Sequence, residues 1–324
     1  MQPMIDPTEI EAAADRIAPH VLRTPLLHSA PLSERHGADI LIKSEHLQLT
    51  GSFKVRGSAN FVHSLDADTA ALGVVTASSG NHGIGVSTAA ASRGIAATIF
   101  LPSTASRSKV DQIRRLGAEI VTVDSTDSND AENAARAHAD AQGQPYVSPY
   151  NDPLIIAGQG TIGKEILEDG GPIDTVVISV GGGGLISGIA TWVKAHSPGT
   201  RIIGASALND RAMAASIEAG KIITPHFEPT FSDGTAGGLE DDSITFAICR
   251  DLVDEWVGIN ERDIATAVTN MIDDHHQLVE GAAGVAIAAA TAHAAKAPGS
   301  RIVAVSCGAN VSSDALARMI AAAG

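Results

Sequence analysis

Lys54 lies in the stretch Thr50-Gly51-Ser52-Phe53-Lys54-Val55-Arg56-Gly57, directly behind an aromatic ring and between two glycines. A lysine held against an apolar wall is poorly solvated in its charged form. Its pKa falls, and the neutral amine becomes a nucleophile toward carbonyl carbon. A Schiff-base lysine needs that property. The plainer alternative is that Lys54 is one of seven lysines in the chain and sits on the surface, ahead of a helix that Val55–Phe61 can start.

Val180-Gly181-Gly182-Gly183-Gly184-Leu185 follows a strand-like run and opens a helix-like one. Four glycines expose consecutive backbone N–H groups, and a helix dipole adds positive potential, which makes a phosphate cradle. A tight turn would need only one or two of them. Residue 186 is isoleucine, so the G-x-G-x-x-G dinucleotide fingerprint is not met. A second glycine pattern, Gly158 to Glu165, matches G-x-x-x-x-G-K. It carries Glu165 where a magnesium-binding hydroxyl belongs, and it falls inside a predicted helix, so it does not read as a triphosphate site. Ser78-Ser79-Gly80-Asn81-His82-Gly83 joins a strand to a helix, and its hydroxyls, amide and N–H groups suit either a carboxylate-bearing ligand or a capping turn. Ser306-Cys307-Gly308-Ala309-Asn310 ends the last strand, where Cys307 can meet a ring nitrogen or simply be a buried thiol.

The chain that must position these groups has 324 residues, 44% of them hydrophobic but only 3% aromatic, so its core is aliphatic and alanine-rich. A net charge of -15 argues against nucleic-acid and anionic-membrane partners. Two cysteines, Cys249 and Cys307, make no disulfide framework. With no signal-peptide pattern at Met1–Asp6 and no long apolar run, the expected class is a soluble cytoplasmic globular protein. Asp6-Pro7-Thr8-Glu9 reads as a capped helix start. Strand-like runs at 38–43, 73–77, 96–101, 119–123, 175–180, 201–206 and 301–306 alternate with helical stretches, and 224–243 reads as loop. This alternation predicts parallel sheets with helices on both faces and a ligand cleft at the carboxyl ends of the strands.

The stretch Lys43–Gly57, with its Gly51-Ser52-Phe53-Lys54 core, resembles the cofactor-lysine motif of the fold-type II pyridoxal-phosphate enzymes, in the branch of serine/threonine dehydratases and serine racemase. The resemblance continues through Ser78–Gly83, Ser108-Lys109-Val110 with Leu116–Glu119, Ile156–Thr161, Gly181–Leu185, Glu280–Val285 and Ser306–Asn310, in family order. It implies two doubly wound α/β domains of the tryptophan-synthase β type with a cofactor cleft between them. Residues 1–72 and 152–324 would form the larger cofactor-binding domain and 73–151 the smaller substrate-loop domain. It further implies that Lys54 carries pyridoxal 5'-phosphate as a Schiff base and later acts as base at the substrate Cα. Phe53 would pack on the pyridine ring, Asn81 would bond its hydroxyl, and Gly181, Gly182, Gly183, Gly184 and Leu185 would hold the phosphate. Cys307 would face the ring nitrogen. Ser78, Ser79, Gly80, Asn81 and His82, with Tyr150 beside them, would bind the substrate.

The implied activity is dehydration of a β-hydroxy-α-amino acid such as threonine or serine to a 2-keto acid and ammonia. Ser79 matches the second acid/base of the racemase, which keeps amino-acid racemisation open. A dehydratase for phenylserine, hydroxyaspartate or a hydroxyectoine-derived compound is a further alternative. The rival from another class is a non-catalytic amino-acid sensor, against which the intact lysine speaks. Ser206 stands where the racemase branch has its first metal-ligating glutamate, so no metal is expected. No regulatory domain is expected after Gly324, and a homodimer is expected from the resemblance alone.

Overall fold

The computed structural model describes residues 5–105 and 107–324. The reading of Met1–Met4 falls outside them, as do the side chains of the Ser108-Lys109 motif. The described strands are β1 (Leu26–His28), β2 (Asp39–Lys43), β3 (Val74–Ala77), β4 (Ala97–Pro102), β5 (Glu119–Val123), β6 (Thr175–Ser179), β7 (Arg201–Ala207), β8 (Glu255–Ile259) and β9 (Arg301–Val305). They form a six-stranded sheet in the order β1-β2-β9-β6-β7-β8 and a three-stranded sheet β3-β4-β5. Every pairing is parallel except β1 on β2. The expected α/β architecture with parallel sheets is thus the observed one.

The central strands are covered on both faces, which is why β4 and β6 read as unbroken buried runs rather than alternating ones. Aliphatic side chains fill both cores, Ile178, Val303 and Ile189 in one, Val74, Ile99 and Ile113 in the other. Each such side chain contributes about 1.5–3 kcal/mol when fully buried. With so few aromatics, close packing relies on small residues. The helix Gly281–Ala294 is buried over most of its length, and its glycines and alanines let it lie directly on the large sheet. At the other end of the chain, Asp6 caps the helix Pro7–Ile17 and Glu9 returns the bond to the Asp6 N–H, as the capping pattern predicts.

Two strands go beyond the sequence reading. β8 is interrupted by Gly258 and opens on Glu255, which masks its apolar pattern, and β1 is only three residues long. The helices Ala30–His36, Ala67–Ala71, Ala212–Ala219 and Ser313–Ala323 are likewise additions. The 224–243 segment is largely loop, with one 3-10 turn at Asp233–Thr235. No described helix is long and apolar enough to cross a membrane.

Candidate active site

The site is assembled where neighbouring parallel strands end together. β2 runs beside β9, with Lys43 opposite Val305. Past their ends the two chains stay stitched. Ser52 bridges Gly308, the Phe53 N–H donates to the Cys307 carbonyl at 3.0 Å, and the Ala309 N–H donates to the Gly51 carbonyl at 2.8 Å. The helix Lys54–Ser64 begins at that point, so Lys54 is fixed by main-chain bonds at the exit of the sheet. Its Nζ donates to the Pro149 carbonyl at 2.7 Å and lies 5.4 Å from the Phe53 ring centre. Desolvation holds the amine's pKa down at about 8, with the negative charge of Glu280 working the other way.

β6 lies on the other side of β9, and the glycine run leaves its carboxyl end. Gly183 has φ +86 and precedes the helix Gly184–His196. A Cβ on Gly181 would come within 2.6 Å of the Thr235 carbonyl oxygen, and one on Gly182 within 2.5 Å of the Tyr150 ring. The loop therefore admits backbone only, at the positive end of a helix, and this suits a phosphate group. Tyr150 is held over it by its hydroxyl, which accepts from the Glu240 N–H at 2.8 Å.

The Ser78–Gly83 segment comes from the other sheet, at the exit of β3, with Asn81 opening the helix Asn81–Arg93. A Cβ at Gly83 would meet the Ser78 carbonyl oxygen at 2.1 Å, so this turn is also glycine-dependent. His82 is buried, and its Nε2 donates to the Val147 carbonyl at 2.9 Å. Burial lowers its pKa to about 3, so it is neutral, and the ring acts as a strut under the segment that carries Pro149 and Tyr150. The Cys307 thiol is buried and accepts from the Ser179 hydroxyl at 3.5 Å, and burial pushes its pKa up.

One cavity of about 450 Å³ brings these parts together. Phe53, Lys54, residues 78–82, Tyr150, residues 181–185 and Cys307 all line it. The same wall holds residues that carried no role in the sequence reading. These are Glu280 and Asn310; Asp233 and Thr235 of the 3-10 turn, part of the 232–238 stretch that the sequence places beside Tyr150 as a shaper of the side-chain pocket, line it as well. A carboxylate just ahead of an uncharged Gly/Ala helix reads as an N-cap, yet Glu280 makes no capping bond with its side chain. That mismatch becomes visible only in three dimensions. Gly158 to Glu165 lies within the helix Pro153–Gly170, and Ser206 donates to the Val180 carbonyl at 3.1 Å, supporting the approach to the glycine loop.

Behind Lys54 the polar groups are arranged differently. Arg56 donates to both oxygens of Glu45 at 2.8 Å and to Glu165 at 2.7 and 2.8 Å. Lys43 donates to Glu165 at 2.5 Å, and all four residues are buried. Glu165, the residue that breaks the triphosphate pattern, is an anchor of this cluster.

Comparison with known proteins agrees with the cavity's contents. Residues 17–308 match the family model for pyridoxal-phosphate dependent enzymes. The chain is 41% identical over 286 residues to an L-threonine ammonia-lyase of Thermotoga maritima, covering 88% of this chain and 71% of that one. It is also 41% identical over 284 residues to a serine racemase of Arabidopsis thaliana, covering 88% and 85%. Among solved structures, the processed form of threonine deaminase isoform 2 from Solanum lycopersicum superposes with a TM-score of 0.93 at 35% identity, over 98% of this chain and 87% of that one. With a half-buried amine of lowered pKa facing a side-chain-free cradle, and with a family match over most of its length, the chain belongs to the pyridoxal-phosphate dependent enzymes.

Proposed function

We propose that the chain is a threonine ammonia-lyase, removing the β-hydroxyl and the α-amino group of L-threonine to give a 2-keto acid and ammonia. Water leaves at the elimination and is taken up again at the hydrolysis that frees ammonia. The observation that carries this reading is the shared cavity in which the Lys54 amine faces the glycine loop 181–184. Relatives named L-threonine ammonia-lyase support the choice of substrate.

Bound pyridoxal phosphate supplies an electron sink for the charge left at Cα when its proton departs. The residues supply the rest. The N–H groups of Gly181 to Gly184 and the start of the following helix hold the phosphate, with Leu185 at the wall. Lys54 removes and holds the Cα proton, and a pKa of about 8 leaves a useful fraction of neutral amine near neutrality. Backbone and hydroxyl donors of Ser78, Ser79 and Gly80 bind the substrate carboxylate over the His82 strut, and Asn81 bonds the ring hydroxyl. Phe53 and Tyr150 close the faces to water. Cys307 stays a neutral thiol at the ring nitrogen, because burial and the neighbouring Glu280 both raise its pKa.

Serine dehydration, a homodimeric assembly, a cytoplasmic location and the division into 1–72 with 152–324 and 73–151 belong to the same proposal. The last is supported by strands β3 to β5 forming a sheet separate from the six-stranded one, with β3 extended by a bridge from Val75 to Tyr146. Racemisation is the second reading, favoured by Ser79 lining the cavity that holds Lys54. Purified protein supplied with pyridoxal phosphate should form keto acid from L-threonine, and Lys54→Ala should abolish both that and the visible absorbance. A panel including serine, phenylserine and hydroxyaspartate ranks the substrates, and light scattering reads the assembly. No keto acid from any of them would overturn the proposal.

A further inference from the structure

The Asn81 side chain is held at both ends. Its Oδ1 accepts from Asn310 Nδ2 at 2.6 Å, and its Nδ2 donates to Glu280 at 2.9 Å and 3.1 Å, one distance to each oxygen. Asn310 is fixed in turn by donating to the Thr50 carbonyl at 2.9 Å. The chain of bonds runs from a backbone carbonyl to a carboxylate, and neither end can donate, so the Asn81 amide has a single orientation. An amide nitrogen carries two hydrogens. Glu280 takes one, and the other is left for the cavity.

Glu280 is 3% exposed. It occupies space that glycine provides, since a Cβ on Gly308 would come within 2.5 Å of its Oε1 and one on Gly234 within 3.4 Å. The titratable groups around it are Lys54 from the helix 54–64, Cys307 from the exit of β9 and Asp233 from the 3-10 turn beyond Gly234. Lys54 is the cation of that set.

We propose that Glu280 is a positioning residue for the reaction: with Asn310 it fixes the Asn81 amide so that one N–H meets the ring oxygen of the cofactor, and it supplies the fixed negative charge that the Lys54 amine faces. The inference rests on the cofactor reading given above. Glu280 opposes the desolvation that lowers the Lys54 pKa, so removing its charge lowers that pKa further. Removing its hydrogen bond frees Asn81 to turn away.

The test uses protein loaded with pyridoxal phosphate and reads its visible absorbance against pH and against cofactor concentration. Glu280→Gln keeps the shape and removes the charge. It should move the midpoint of the spectral change to lower pH and weaken cofactor binding severalfold to roughly tenfold, as exchange of a charged for a neutral acceptor of the Asn81 bond implies. Glu280→Asp should return the midpoint toward that of the wild type. Asn310→Ala should weaken binding and leave the midpoint in place, which also covers the case of a Glu280 variant that fails to fold. A Glu280→Gln protein with wild-type midpoint and affinity, or one altered only in thermal stability, overturns the inference while the cofactor reading stands. Wild-type protein that takes up no pyridoxal phosphate overturns both.

Discussion

Two lysines eleven residues apart, both buried to some degree, have opposite surroundings. Lys43 is fully buried yet meets Glu165 at 2.5 Å, inside a cluster with two cations and two anions. Lys54 donates to a neutral carbonyl, that of Pro149, and Glu280, which lines the same cavity, offsets its desolvation only in part. Burial pulls both pKa values down, but only for Lys54 is the shift large, to about 8. Behind the helix 54–64, charge is balanced and serves to hold β2, the helix 54–64 and the helix 153–170 together. In front of it, charge is left underpaired, and an underpaired buried amine is reactive. The same helix carries both kinds of site within a single turn, with Arg56 two residues after Lys54.

The contrast can be broken from either side. Arg56→Met should have the largest effect on stability, because it leaves Glu45 and Glu165 buried without their shared cation. A loss of about 3–5 kcal/mol is expected in denaturant titrations. Lys54→Met should do the reverse: turnover falls to background, while the cofactor-free variant unfolds at the same or higher denaturant concentration. The sign follows from linkage. The folded pKa lies below that of a free lysine, so the unfolded state binds more protons between pH 8 and the ordinary lysine value, and the stability that wild-type protein gains as pH rises through that window should be missing in Lys54→Met. Cofactor capture by the emptied wild-type protein should likewise accelerate as pH rises toward and past about 8. Gly182→Ala should cost about 1–3 kcal/mol through overpacking against Tyr150 and weaken cofactor binding more than it weakens the fold. The most selective change is Ser79→Ala, which should remove any racemisation seen by chiral analysis and spare keto-acid formation.

The front of the helix was far more legible in the sequence than the back. Lys54, the glycine run and the 78–83 segment are local signals, each contained within a few residues of chain. Arg56, Glu45 and Glu165 are joined only by folding, since Glu165 arrives from 109 residues away, and no local pattern marks them as partners. Glu280 and Asn310 escaped for a related reason. One has the appearance of a helix cap and the other of a turn residue, and both act through Asn81, more than 190 residues distant in the chain. In the fold, the buried runs of β4 and β6 were readable by their apolar content, whereas β8 was hidden by Glu255 and Gly258. The rings of His82 and Tyr150 were legible as residues of the site, but not as a strut and a cover.

The seam between residues 51–53 and 307–309 carries a consequence for how such a protein changes over time. The nucleophile's address is written in main-chain bonds, with Gly51 and Gly308 the positions that resist a side chain, and other walls of the cavity stand on separate loops, at 233–238 and around Tyr150. Selection can therefore redraw the menu of amino acids by altering those loops, without recalibrating the reactive nitrogen each time.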